Sequence, residues 1–312
     1  MIITTPLIQS GDSSMRIQNL FQDQQDLIQP NPYPQYEIPD SGTTTRDLTA
    51  QPHVEHLLSE HILDIYIQDK LTIRLTCTAV NLPELVLGRL LSEGIIRSAE
   101  DVDLLYICQT GHRARVFLNH MKHPESASSG AFNESEESFV ELTPTCCTGT
   151  RVLNQDFVQD LPFAKVRLTD WDLKFIQDCD HFLKTDFPLH NISGSTHAAG
   201  LFHKRKWYCM YEDIGRHNAI DKAIGRALID GLDLSRCALY TTGRMPVDVI
   251  QKVIRSGIPL IAGKETPTAE SLQLAVSCDL TVIGKIRNGH YTLYSGRPPV
   301  TEVLPDHLRT DF

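Results

Sequence analysis

The chain has 312 residues, 41% of them hydrophobic, which is long enough for two domains and apolar enough to bury a substantial core. A formal net charge of -10 argues against a broad nucleic-acid surface, which needs a basic stripe, and confines any anion site to a local positive pocket on an acidic body. No apolar run approaches a membrane span and the opening MIITTPLIQSGDSSMRIQNLF lacks a basic region before a long apolar core, so a cytoplasmic protein is expected, while eight scattered cysteines without repeated spacing exclude a secreted disulfide scaffold.

Residues 1–53 are rich in Gln, Asp, Pro, Ser and Thr without a sustained period, and are expected to form an irregular arm. HILDIYIQ and LTIRLTC alternate as two strands joined by a tight Asp69-Lys70 connection. Residues 82–93, with Pro83 in the opening turn and Gly94 just past the end, read as a helix. DLLYICQ and ARVFLN read as further strands, and the acidic stretch MKHPESASSGAFNESEE as an exposed loop before the strand SFVELT. Together they predict a small α+β domain over residues 54–143.

TPTCCTGT then places Cys146 and Cys147 on a turn bounded by Pro144 and Gly149, where a flexible backbone can present a side chain. As residue types alone they fit better as two small buried hydrophobes. Adjacent cysteines close at best a strained disulfide, so a structural bridge is not expected.

From residue 164 strands and helices alternate. Residues 169–183 read as a helix with Thr169 as cap and Asp172 three residues on. AAGLFHKRKWYCMYE reads as a hairpin turned at Lys204-Arg205-Lys206. In YEDIGRHNAIDKAIGR and the residues after it, Ala219, Ile220, Ala223, Ile224, Ala227 and Leu228 recur on one helix face, while Arg216, His217, Asn218, Asp221 and Lys222 crowd the first turns. Free backbone N–H groups at a helix start attract anions, and Arg216 and Lys222 add charge and donors for phosphate or carboxylate. A capped helix whose polar face meets water is the plainer reading of the same residues. The helix ends at Gly231.

Strands at 238–242, 259–262 and 280–285 then alternate with helices at 246–256 and 268–277, and HYTLYS returns as a hairpin across Asn288-Gly289. This predicts a layered α/β domain over residues 144–312 with a largely parallel sheet. The loops TTGRMP and GKETPT fall on one sheet edge, where α/β ligands bind, and Gly243 and Gly263 permit close backbone approach there.

EDIGRHNAIDKAIG resembles the signature of the FdhD family, sulfurtransferase accessory proteins needed for formate dehydrogenase activity. The likeness extends through LVLGRLLSEGII, THAAGLF, YTTGRMPVDVIQKVIRSGIPLIAGKETPTAESLQLA and LTVIGKIRNGHYTLYSG. It implies an α+β protein whose second domain has the fold of the cytidine deaminases. Their zinc chemistry is not implied: His197-Ala198-Ala199 has alanine where the His-x-Glu segment needs glutamate, and no Pro-Cys-x-x-Cys occurs. No zinc is expected, and His197 is either a core histidine or a ligand-facing one.

The resemblance further implies a homodimeric sulfur carrier that takes sulfur as a persulfide from a cysteine desulfurase. It would pass the sulfur to the molybdenum or tungsten bis(pterin guanine dinucleotide) cofactor bound as substrate, before formate dehydrogenase apoenzyme receives it. The family's acceptor loop often reads Cys-Gly-x-Cys-Gly; here Gly149 aligns Cys147 with the acceptor, with Cys146 as the alternative. The family's terminal cofactor-binding segment matches Lys285, Ile286, Arg287, Asn288, Gly289 and His290, where His290 replaces an expected arginine. The other matching segments carry the rest of the implied cofactor-binding set: His197, Asp213, Arg216, His217, Asn218, Asp221, Lys222, Gly243 and Arg244. Arg216, Lys222, Arg244 and Arg287 are expected to converge on one pocket that takes guanine nucleotides. Other readings of the same chain are a non-catalytic chaperone for cofactor and apoenzyme, and a nucleotide-binding enzyme of deaminase ancestry.

Overall fold

The computed structural model describes residues 15–23, 27–36, 50–119, 151–152, 162–182 and 187–300. In chain order these give β1 (Arg16–Asn19), β2 (Ile28–Tyr36), β3 (Ala50–Leu58), β4 (His61–Ile67), β5 (Lys70–Cys77), α1 (Leu82–Ser92), β6 (Val102–Ile107), β7 (Arg113–Leu118) and β8 (Arg151–Val152). Then follow α2 (Leu173–Phe182), α3 (Pro188–Ser193), β9 (His197–His203), β10 (Lys206–Asp213), α4 (Arg216–Ile229), β11 (Ala238–Thr241), α5 (Val247–Arg255), β12 (Leu260–Gly263), α6 (Ala269–Ser277), β13 (Thr281–Arg287) and β14 (His290–Ser295). One sheet has the order β1-β6-β7-β4-β5-β8, a second β10-β9-β11-β12-β13-β14, and β2 pairs with β3 alone.

Two-residue turns at positive φ close three of the hairpins: Gln68-Asp69, one residue earlier than expected, Lys204-Arg205 and Asn288-Gly289. Such turns match strand twist and force antiparallel pairing. The second sheet is accordingly mixed, not largely parallel as the alternation suggested. β11–β12 and β12–β13 run parallel, but β9 is antiparallel to both its neighbours and β14 to β13.

The expected irregular arm is also revised. β1 adds in parallel to β6, Phe21 is buried, and Asp23 accepts a hydrogen bond from the Asn81 N–H at the head of α1. The proline-rich β2 is tolerated because its ribbon has only two strands, both of them edges. Arg151 and Val152, expected in the second domain, pair with Arg74 and Ile73 of the first sheet. The strand expected at SFVELT and the acidic loop before it lie outside the described residues. Helix α2 starts at Leu173, capped by Asp172, whose Oδ1 accepts from the Phe175 N–H. Thr169 is instead buried ahead of Trp171, whose Nε1 donates to the Arg297 carbonyl.

Alternation along the strands divides the second sheet's side chains between two cores. Ala199, Leu201, Leu239, Ile261 and Val282 face α4 and α5, in a core continuous with Leu63, Ile65, Ile73 and Leu75 of the first sheet. Phe202, Tyr240, Leu260 and Ile283 face the opposite way, against Trp171, Phe175 and Phe182. Helix α1 is buried along its whole length and crosses α4 at two glycines. A methyl group on Gly88 would stand 1.8 Å from the Asp221 carbonyl oxygen, and one on Gly225 1.8 Å from that of Glu84. The helices thus meet backbone to backbone.

Candidate functional site

The start of α4 meets the ends of three strands. β10 ends at Asp213, opposite His197 at the head of β9, and β11 ends at Thr241, opposite Ala199. Beyond Thr241, the Thr242 N–H donates to the Ala198 carbonyl, and the Ala198 N–H donates to the Thr242 hydroxyl. This lock holds the turn Thr242-Gly243-Arg244 beside the first turn of α4. Gly243 has no alternative there, because a Cβ would lie 2.9 Å from both Cβ and Cδ of Arg216.

Arg216 is 7% exposed, its Nε is buried without a partner, and among the described residues it makes no ion pair. Gly215 caps α4 with no side-chain hydrogen bond, and no acidic residue stands in the first turn. The Asp213 carboxylate, paired with Lys222, accepts from the Gly215 N–H just ahead of that turn. Burial pushes the His197 pKa down, and Arg216, His190, His217 and Arg244 push it further the same way. His197 is thus a neutral imidazole in a cationic cluster.

The nearby carboxylates are already engaged. Glu212 accepts from the Leu189 and His190 N–H groups and the Thr196 hydroxyl. Asp248 lies 3.2 Å from Nε2 of His217. Arg244 stands exposed at the rim.

Four expected ligand-facing residues turn inward. Lys222 is fully buried, with Nζ 2.6 Å from Asp213 Oδ2 and bonded to the Thr78 hydroxyl and the Glu212 carbonyl. Asp213 also accepts from the Thr78 N–H and hydroxyl, the Gly215 N–H and Asn218. Asn218 donates its other proton to the Thr76 carbonyl. Asp221 accepts from Arg89, Ser92 and Lys252. Burial, with Arg89 beside it, pushes the Lys252 pKa down; burial alone would raise that of Glu93, but Arg89 and Lys252 outweigh it and hold it low. These groups fasten α4 to β5, α1 and α5 and are positioning residues. Their partners Thr78, Arg89, Ser92 and Lys252 escaped the sequence reading, although LVLGRLLSEGII and PVDVIQKVIRSG contain three of them.

The segment 285–290 forms the β13–β14 turn on the same sheet edge. It is two strands from β11, about 10 Å at the usual strand spacing. Lys285, Arg287 and His290 are exposed, and Asn288 and Gly289 turn at positive φ. Ile286 is fully buried in the second core and so supports the turn without facing a ligand. The Gly289 N–H donates to Asp180. Arg216, Arg244, His197 and Gly243 thus lie together, Arg287 lies on the β13–β14 turn of the same sheet edge, and Lys222 is in the interior.

Cys146 and Cys147 lie outside the described residues. Arg151-Val152 runs antiparallel to β5. Among the six described cysteines, burial pushes the thiol pKa of Cys77 and Cys179 well up and those of Cys209 and Cys237 to about 12. Cys108 differs. Partial burial would raise its pKa, but the Thr110 hydroxyl and the N–H groups of Arg113, Thr110 and Gly111 bring it below the ordinary value.

The model of the FdhD/NarQ family matches residues 58–300. The Sulfur carrier protein FdhD of Listeria innocua is 30% identical over 257 residues, 81% of this chain and 94% of that protein. Its namesake in Bacillus subtilis is 27% identical over 245 residues, 77% and 88% of the two chains. A crystal structure described as a formate dehydrogenase accessory protein from Desulfotalea psychrophila superposes with a TM-score of 0.62 at 22% identity, covering 86% of this chain and 97% of that one, and shows the likeness of fold. β1 and the β2–β3 ribbon up to Leu57 precede the family match, whereas the glycine crossing, the α4 start and both arginine segments fall inside it. The chain belongs to the FdhD/NarQ family.

Proposed function

We propose that the chain is a sulfur carrier in formate dehydrogenase maturation, with the sulfur held as a persulfide on Cys147, or on its neighbour Cys146. The Cys147 thiolate attacks the outer sulfur of a persulfide on a cysteine desulfurase. A sulfur–sulfur bond forms to Cys147, and the donor's cysteine leaves as a thiolate. The substrate that receives the sulfur is the molybdenum or tungsten bis(pterin guanine dinucleotide) cofactor. Arg216, Arg244, His197 and Gly243 would hold it at one part of the sheet edge, and Lys285, Arg287, Asn288, Gly289 and His290 at another.

The observation that carries this reading is Arg216 at the α4 start, buried and without an ion pair among the described residues, on a chain that is acidic overall. An anionic cofactor supplies the charge this edge lacks, and the names of the relatives supply the sulfur chemistry. The same reading takes the layers about the second sheet as deaminase-like, and the carrier as a cytoplasmic homodimer.

Mass spectrometry after incubation with a desulfurase and cysteine tests the relay. Cys147→Ala is expected to lose both the added sulfur and client maturation, Cys146→Ala to lose less, and Cys108→Ala to keep both. Normal maturation with both Cys147→Ala and Cys146→Ala would leave a chaperone that only binds cofactor and apoenzyme.

A further inference from the structure

Residues 15–23, which precede the family match, cross one end of the first sheet as a strap fastened at three points. β1 adds to the outer edge of β6, and the Leu20 N–H continues the pairing by donating to the Ile107 carbonyl. Phe21 seats its ring against Gly111, where a Cβ would stand 2.7 Å from both Cδ2 and Cε2 of the phenylalanine and 3.1 Å from Leu82 of α1. Asp23 accepts from the Asn81 N–H at the head of α1, where Asn81 itself makes no side-chain cap, and its carboxylate suits the positive end of that helix.

The histidine that Phe21 packs on makes this fastening conditional. His61 is 4% exposed, with its ring 5.9 Å from that of Phe21 and stacked on His112 at 4.4 Å. Nε2 of His61 bonds the Gly111 carbonyl, and Nδ1 of His112 bonds the Ile62 carbonyl. A carbonyl only accepts, so the neutral rings already satisfy both bonds with their single protons. A second proton on His61 gains no acceptor among the described residues, and the tilted phenyl ring returns only part of the hydration the charge forfeits. The surrounding groups do not compensate. The Cys77 thiol stands opposite on β5 and burial keeps it protonated; Asp64 is bonded to Arg74, Glu84 of α1 lies 3.7 Å from Arg226, Asp23 holds the Asn81 N–H, and Glu60 stands in solvent. Burial pushes the His61 pKa down and His112 pushes it the same way, against the bond from Gly111.

We propose that residues 15–23 are a proton-released strap, docked across β6 and the head of α1 while His61 is neutral and lifted when His61 takes its second proton. Lifting bares the edge of β6 (Val102–Ile107) and opens the seat of Phe21, so the strap controls whether this edge can pair with another chain. Docking is complete above about pH 6.5, the value of a released histidine. Below that it weakens by up to about tenfold per pH unit, because the lifted state binds one more proton than the docked one.

Hydrogen exchange read by mass spectrometry on the full chain, at about pH 7.5 and about pH 5.5 and corrected for the intrinsic pH dependence of exchange, tests the strap. In wild type, peptides covering residues 16–22 and 102–107 are expected to lose protection by up to about tenfold at the lower pH, while those of β11, β12 and β13 keep theirs. His61→Gln, whose amide still donates to the Gly111 carbonyl but takes up no proton, holds both segments protected at either pH. Phe21→Ala leaves them open at either pH. Should His61→Gln fail to fold, the imidazole signals decide: the His61 titration midpoint rises toward about 6.5 in Phe21→Ala. Equal wild-type protection at the two pH values, an equal loss in His61→Gln, an unchanged His61 midpoint in Phe21→Ala, or loss of the second sheet's protection together with the strap's overturns the proposal.

Discussion

At the scale of single residues, the chain separates charges that look alike in sequence. Lys222 and Arg216 stand six positions apart in one helix, yet Lys222 is locked to Asp213 and Arg216 has no counter-ion among the described residues. Removing one member of a buried pair leaves the other uncompensated, so Lys222→Met is expected to cost about 3–5 kcal/mol. The double variant Asp213→Asn, Lys222→Met should recover part of that loss, and urea unfolding of the single and double variants measures the coupling. His197 gives a pH signature. Its folded pKa is depressed, so its contribution to stability is complete above the unfolded value of about 6.5 and is lost as pH falls below it toward the folded pKa. His61, lowered chiefly by burial, acts in the same direction. Melting temperatures should drop between pH 7 and 5, less steeply in His197→Gln, and an equal slope in that variant would remove His197 from the account. The candidate anion site was half legible in the sequence. A helix start crowded with Arg, His, Asn, Asp and Lys announces chemistry, but which cations are spent inward depends on Thr78, Ser92 and Lys252, and two of the bonds bridge 135 and 144 positions.

At the scale of elements, the α1–α4 crossing sets the tolerances. Gly88→Ala or Gly225→Ala would drive a methyl group into a carbonyl oxygen of the facing helix, and overpacking that cannot be relieved by a rotamer is expected to cost about 3 kcal/mol or more. Gly231→Ala is the comparison: it has φ of 65° but open space around it, so only backbone strain of about 1–2 kcal/mol applies. Thermal melts of the three variants should rank Gly231→Ala well above the other two; near-equal values would mean that the helices can part. The hairpins and helices were largely readable because their signals are local: turn residues, Thr268 as a cap, and glycine stops. β1, β2 and most of β3 were not, since proline and glutamine lower strand propensity and only partners in β6 and in the ribbon itself make them strands. The parallel bias of the second sheet was likewise overestimated: both edge hairpins were legible, but local signals do not say that β9 pairs antiparallel with β11.

At the scale of the whole molecule, one apolar cluster runs from the first sheet through α1 and α4 to the second. Both tryptophans, Trp171 and Trp207, lie with the other core, so their fluorescence reports the far side of the second sheet while far-UV circular dichroism reports everything. Coincident denaturant transitions by the two probes are expected. Separate midpoints would show that the two sheets unfold independently despite the shared core.

The glycine crossing also has a mechanical meaning for the anion site. Asp221 and Gly225 touch α1 about 6 Å apart along α4. A rod pinned at one point can swing, but a rod pinned at two has lost its pivot. Arg216 stands at the free end, about 7–8 Å beyond the nearer pin, so even a tilt of a few degrees would have to force backbone through backbone. The guanidinium's base is therefore a fixed bearing, and an arriving anion meets a socket whose alignment was completed when the chain folded.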